Sequence, residues 1–233
     1  MPLGPCIAVT MEVPPFRLSG TVYGALLNHR TALQALGDAV NQPPYQRPPQ
    51  APVLYVKPRN TLAADGEPIA VPPGVAELEI GASLGLVIGR PSSHLAEGQA
   101  IEHLAGYLIV NDVSVPHLQY YRPSIPFKAR DGFCPLGPRV VSRAAIPNPD
   151  ALTIRVYVDG ELKQTATTSE LVRPIAKLLA DVTDFMTLTP GDVLAVGVAA
   201  PAPRIRAGER AVIEIDGLGR LQNSIVGDAL FGR

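Results

Sequence analysis

The sequence predicts a β-dominated α+β fold, and three observations carry that prediction. Proline (25 residues) and glycine (21) run through the 233-residue chain without a period, which suits many short strands and tight turns better than a helical bundle. Apolar runs recur between turn dipeptides such as Asp159-Gly160 and Asp216-Gly217. One stretch alone, Ile175 to Met186, sustains helical spacing of its apolar residues.

In chain order, residues 1–16 read as a loose leader and 17–233 as one domain without linker or repeat. A strand over 21–27 runs into Asn28-His29-Arg30, after which Thr31 can cap a short helix to about Val40. Residues 42–52, QPPYQRPPQAP, can be neither helix nor central strand, because five prolines fix φ and remove donors. They read as an extended surface connector, with a pocket lid as the alternative. A strand at 53–57 delivers Lys57-Pro58, one or two strands occupy 75–88, and others are expected at 107–113 and 140–144. Asp159-Gly160 is a type I′ hairpin signal between strands at 152–158 and 161–166. The helix from Ile175 buries its apolar stripe, with Pro174 tolerable at its first position. Thr189-Pro190-Gly191-Asp192 forms a turn, and strands come after it at 193–198, 211–215 and 220–225.

A formal charge of −1 leaves no electrostatic footprint for nucleic acid or an anionic membrane. The first residues carry no basic region leading into an apolar one, and no uncharged apolar run reaches about 18 residues. The expectation is a cytoplasmic protein. Cys6 and Cys134 lack partners at metal spacing and read as idle thiols.

Residues 112–138 hold the densest chemistry. Asp112, Lys128 and Asp131 stand beside a stiff segment containing Phe133, Pro135, Gly137 and Pro138, and a rigid backbone is what a positioned catalytic group needs. A bland Lys128–Asp131 ion pair on a surface loop fits the spacing as well. His94 and His103 read as surface or structural. His117 lies close enough to Asp112 to share a site. Arg204 and Arg206, two apart on an extended segment, face one way and can meet a carboxylate or line a solvated edge.

The order K-x-x-D-x-F-x-P-x-G-P over 128–138 resembles the fumarylacetoacetate hydrolase family, whose members act on oxo-acids with a bound divalent metal. The resemblance extends to Asn28, Lys57-Pro58, Leu84–Gly89, Asn111-Asp112-Val113-Ser114, the Asp159-Gly160 hairpin and Met186 to Val193. It implies a mixed β-sheet roll with few short helices. It further implies that Lys128 and Asp131 are catalytic, that Asn28 and Lys57 bind substrate, and that Asp112 is a metal ligand for Mg2+ or Mn2+.

Departures from the family pattern are equally specific. The family strand E-x-E-L-x-x-x-I-G aligns on Leu84 and Ile88-Gly89, which puts Gly81 and Ser83 where two metal-binding glutamates belong. Glu77 and Glu79 have the right spacing but lie four residues early, roughly 13 Å along a strand. The His/Glu positions of N-Y-x-x-H-x-x-E become Ala32 and Ala35, the S-A-R-D tract becomes Ser114 to His117, and G-T-P becomes Gly197-Val198-Ala199. Asp112 alone is a poor trap for a metal that wants several oxygens, so tight metal binding is not expected.

The tracts Leu27–Arg30, Lys57–Thr61, Tyr121–Pro123 and Arg130–Pro135 are most similar to a branch built from two such modules, fused or separate, that decarboxylates and isomerises an oxo-tricarboxylic acid. The implied partner is a metal-competent homologous subunit or a second copy, and the implied ligand is a small oxo-di- or tricarboxylic acid. Three roles stay open: a degenerate subunit of such an enzyme, a self-sufficient metal enzyme using Asp112 with both Glu77 and Glu79 in a shifted register or with Asp131, or a binding module that holds substrate through Lys57 and Lys128 without turnover.

Overall fold

The computed structural model describes residues 20–117 and 124–227. The expected leader over 1–16 and the Tyr121–Pro123 tract lie outside the described residues.

Along the chain, β1 (Val22–Leu26), α1 (Arg30–Ala35) and β2 (Val53–Lys57) lead to β3 (Leu62–Ala63), β4 (Ile69–Val71), β5 (Leu78–Glu79) and β6 (Ala82–Ile88). The middle holds α2 (Glu97–Ala100), β7 (Leu104–Asn111), α3 (Ile125–Lys128) and β8 (Cys134–Ser142). The hairpin β9 (Thr153–Val158) and β10 (Glu161–Thr167) precedes α4 (Ile175–Phe185), β11 (Val193–Ala195), β12 (Arg204–Ile205), β13 (Arg210–Ile215) and β14 (Gly219–Gly227). This is the predicted β-dominated α+β architecture.

A seven-stranded mixed sheet runs β2-β1-β11-β6-β7-β8-β3, and a five-stranded sheet runs β10-β9-β13-β14-β4. The edge strands β2 and β3 of the larger sheet are joined by residues 58–61 alone, so the sheet must curl until its edges meet. That curl gives it two buried faces. Residues Ala82, Leu84, Leu86 and Ile88 of β6 point outward into the main core, shared with Ile175, Leu178, Leu179 and Val182 of α4. Val87 points inward and joins Val22, Leu108, Val110, Leu136 and Val193 in a smaller core. A strand buried on both faces has no reason to alternate, which is why β6 reads as a continuous apolar run.

Several expectations change in detail. The residue that caps α1 is His29, not Thr31: His29 is extended and its Nδ1 accepts the Thr31 N–H at 3.3 Å, doing the work of an Asx side chain. The expected strand at 140–144 begins at Cys134, so the stiff segment after Phe133 is strand rather than loop. The 75–88 region holds two strands, β5 and β6, one of the two outcomes expected, and Ile80 N–H between them donates to the Pro203 carbonyl at 2.9 Å. The strand expected over 193–198 ends at Ala195. Asp159 and Gly160 both have positive φ, as a type I′ turn demands. Residues 42–52 form no helix or strand, as expected, and the Gln50 carbonyl accepts from Arg173 Nη2 at 2.6 Å.

Candidate functional site

At the end of the curled sheet where β7 gives out, a cavity of about 420 Å3 opens. One side is polar, lined by Tyr55, Glu79, Asp112, Ser114, His117, Lys128 and Arg204. The other is built from Leu26 and Leu27, from Ala32, Ala35, Leu36 and Ala39 on and after α1, and from the 198–202 segment. Ala32, Leu36 and Ala39 keep helical spacing, so α1 lays one apolar face over the cavity. Thr31 Oγ1 accepts the Ala200 N–H at 2.9 Å and joins the two parts of that wall.

Asp112 anchors the polar side and is 2% exposed. Its N–H is held by the Gly81 carbonyl at 2.8 Å. Lys57 Nζ stands 2.6 Å from Oδ1 and Lys128 Nζ 2.6 Å from Oδ2, and the Tyr55 hydroxyl also donates to Oδ2. Burial opposes the charge, but Lys128 and then Lys57 overcome it and hold the Asp112 carboxyl well below the usual carboxylate range. Burial, then the Asp112 charge, pushes the Tyr55 phenol well above its ordinary value, so Tyr55 acts as a neutral donor. Its ring lies under the Lys128 ammonium, 4.8 Å from Nζ to the centroid. Tyr55 has room for this because residue 24, opposite it on β1, is glycine: a Cβ there would sit 2.1 Å from the Tyr55 ring.

Lys57, the last residue of β2, was expected to bind substrate. Its ammonium instead donates to the carbonyls of Val113, Lys128 and Phe133, each at 2.9 Å. Three carbonyl acceptors use all three N–H groups. Oδ1 of Asp112 is therefore left with a charge contact and no aligned hydrogen bond. Lys57 closes the curled sheet by stitching its edge strand to the segments bearing Asp112 and Lys128; it does not line the cavity.

Asn28 was likewise expected at the substrate. It is 3% exposed, its Nδ2 donates to Val196 O at 2.8 Å and Arg173 O at 3.2 Å, and its Oδ1 accepts from Arg173 N at 3.0 Å. The whole amide is spent on backbone, so Asn28 fixes the start of α1. Asp131 departs furthest. It is exposed, accepts from Asn60 Nδ2 at 2.8 Å and borders a separate cavity with Arg130 and Phe133, because the turn after α3 points it away from Lys128. Of the expected residues, Lys128 and Asp112 meet in the cavity.

Three further residues at the cavity had weaker signals. Tyr55 is two residues before Lys57 on one strand and so shares its face, a relation that period-2 reading makes available. Glu79 lines the cavity because it pairs with Ser114, two residues past Asp112, in the same register that joins β6 to β7. Its carboxylate accepts from Ser114 Oγ at 3.1 Å and pairs with Arg204 at 3.2 Å, while Glu77 pairs with Arg204 at 3.3 Å and Arg206 at 3.6 Å. Gly81 and Ser83, the positions aligned with the family glutamates, hold no carboxylate. A Cβ on Gly81 would lie 2.3 Å from the Asp112 carbonyl oxygen, and Ser83 Oγ accepts the Gly197 N–H at 3.2 Å. His117 stacks on Phe127 with centroids 4.8 Å apart, and its Nδ1 lies 3.0 Å from Val115 O. Cys134 is fully buried and its thiol is pushed up to about 12 by that burial, an inert group.

Comparison with known proteins agrees with this architecture. Residues 21–226 match the fumarylacetoacetate (FAA) hydrolase C-terminal family. The chain is 40% identical over 216 residues to the 4-hydroxyphenylacetate degradation bifunctional isomerase/decarboxylase of Salmonella dublin, covering 93% of this chain and 49% of that one. It therefore spans about half the length of the curated relatives it matches. Among solved structures, 5-carboxymethyl-2-hydroxymuconate delta-isomerase from Mycobacterium smegmatis superposes with a TM-score of 0.78 at 29% identity, covering 91% of this chain and 81% of that chain. Maleylpyruvate hydrolase from Sphingobium sp. SYK-6, solved with manganese(II) and pyruvate, gives a TM-score of 0.73 at 26% identity over 89% of this chain and 70% of that one. Sequence match and fold agree, and the chain belongs to the fumarylacetoacetate hydrolase family.

Proposed function

We propose that this chain is the metal-free module of a two-module isomerase/decarboxylase of 4-hydroxyphenylacetate breakdown, and that it pairs with a homologous metal-competent module. The observation that carries the reading is the state of the Asp112 carboxylate. Both oxygens face ammonium groups at 2.6 Å, which supply the two positive charges a divalent cation would otherwise bring. A Mg2+-type ion needs near-octahedral oxygen coordination. Gly81 and Ser83 contribute no carboxylate, and among the described residues no three His, Cys, Asp or Glu side chains gather at one point. The donor set does not fit the metal its relatives use. In this reading the module supplies the folded partner surface and a pocket, while turnover of 5-oxopent-3-ene-1,2,5-tricarboxylate belongs to the partner.

One observation favours a second reading, a self-sufficient metal enzyme: Glu79 does reach the cavity. That reading requires Glu79 to release Arg204 and Ser114 while Asp112 releases two lysines, and it is the weaker of the two. The purified chain, dialysed against Mn2+ and then metal-free buffer, is expected to retain well under one metal per chain and to leave the tricarboxylate unchanged. Stoichiometric metal with metal-dependent turnover by the chain alone would replace the first reading by the second.

A further inference from the structure

We propose that His29 is a protonation-operated latch for the apolar wall of the cavity: neutral, it caps α1, and protonated, it leaves α1 for Glu170. The latch is independent of whether the chain takes a metal. α1 has little else to hold it. It is six residues long, with no acidic side chain in its first turn and no buried residue. Helices this short are marginal without outside support. The start of α1 rests on the His29 ring, whose Nδ1 lies 3.3 Å from Thr31 N and 2.9 Å from Thr31 Oγ1. Thr31 Oγ1 in turn accepts the Ala200 N–H at 2.9 Å, so one imidazole nitrogen anchors a chain of bonds from α1 to the 198–202 segment. Ala32, Ala35 and Leu36 line the cavity just beyond that anchor.

A ring nitrogen that accepts an N–H carries no proton of its own, so the neutral ring bears its hydrogen on Nε2. Nε2 is buried and has no hydrogen-bond partner among the described residues. Glu170 Oε2, on the turn over 168–170, stands 3.8 Å away, beyond hydrogen-bond reach. A second proton must go to Nδ1, where it meets the Thr31 N–H. Two donors cannot share that contact, and the cap is lost. The same proton makes the ring a cation and draws it toward Glu170, a closure of about 1 Å. Cap and ion pair are therefore alternatives. The backbone on either side stays pinned, since His29 bridges Leu171 and the Asn28 carbonyl accepts the Val172 N–H at 2.8 Å.

Among the described residues, Glu170 is the one charged group acting on the ring, with the Thr167 carbonyl beside it. Arg173 is held by Asp181 and the Gln50 carbonyl, Arg30 is exposed, and the 198–202 segment has no ionisable side chain. Burial outweighs Glu170 and lowers the His29 pKa. The unfolded chain then binds the proton more readily, so the neutral cap is complete at neutral pH. Its contribution is lost as pH falls from the unfolded value through the folded one.

The test is hydrogen–deuterium exchange of the full chain from about pH 7.5 to about pH 4.5, corrected for the intrinsic pH dependence of exchange, with the His29 ring followed by NMR. Protection of α1 is expected to fall about fivefold relative to α4 as His29 titrates, the size of one lost N-cap. His29→Asn supplies a cap that cannot take a proton and should keep α1 protected throughout. Should that variant not fold, Glu170→Gln answers on its own. The Glu170 side chain is 49% exposed, and losing its charge should move the α1 transition to lower pH. Level α1 protection while His29 titrates, a fall that His29→Asn shares, or a transition that Glu170→Gln leaves in place overturns the latch. So does a ring that stays neutral over the whole range.

Discussion

Two clusters of carboxylates and cations border the same cavity and are built on opposite principles. Asp112 with Lys57 and Lys128 is sealed, the Asp112 and Lys57 side chains each being 2% exposed. Glu77 and Glu79 with Arg204 and Arg206 sit at a sheet edge, where the Arg204 side chain is 44% exposed and the Arg206 side chain 71%. In the first, every charge depends on its partners, because water cannot replace them. In the second, water and salt can stand in for either member of a pair. The first cluster therefore sets the shape of the site, and the second trims its rim.

Removing Asp112 gives the largest expected effect. Asp112→Ala leaves two ammonium groups facing each other in the interior, and a loss of about 3–5 kcal/mol is expected in urea unfolding, the usual cost of breaking a buried pair. A loss below about 1 kcal/mol would put the two clusters on one footing and end the comparison. The pH dependence sharpens it. The folded Asp112 carboxyl titrates below its unfolded value of about 4, so its contribution is complete above that pH and is lost as pH falls through the folded value. Urea midpoints measured from pH 7 down to pH 3 should fall more steeply for the wild-type chain than for Asp112→Asn.

Restoring the missing ligands is the next largest change. Gly81→Glu with Ser83→Glu recreates the family spacing, yet a Cβ at 81 collides with the Asp112 backbone at 2.3 Å. A destabilisation of about 1–3 kcal/mol from overpacking is expected, without recovery of bound Mn2+ by elemental analysis. Stoichiometric metal in that variant would mean that side-chain loss alone separates this pocket from its relatives. The smallest effect belongs to the rim. Arg204→Ala should cost less than about 1 kcal/mol, and the difference from wild type should shrink further in 1 M NaCl.

Much of this was legible in sequence order because it depends on neighbours along the chain. Asp159-Gly160 needs positive φ at both positions, the apolar spacing from Ile175 fits one helix face, and the 128–138 tract carries the family resemblance. The pairing of Glu79 with Ser114 was not legible, since it joins segments that are far apart in the chain. For that reason the straight-strand distance kept Glu79 away from a cavity it in fact borders. Lys57 and Asn28 match family positions, but matching a position does not say where an ammonium or amide will point. Backbone carbonyls from distant segments claimed both.

The sequence by itself determined the family, the strand-rich architecture and the absence of glutamates at 81 and 83. Those depend on residue identity and local conformational preference. Tertiary structure alone decided that Asp112 faces two lysines, that Asp131 turns away to Asn60, and that Ala32 and Ala35 form an apolar wall opposite Lys128. The physical reason is the curl of the seven-stranded sheet. It brings β2, the end of β7 and the start of β8 within hydrogen-bond reach of one ammonium group, and no local rule encodes that meeting.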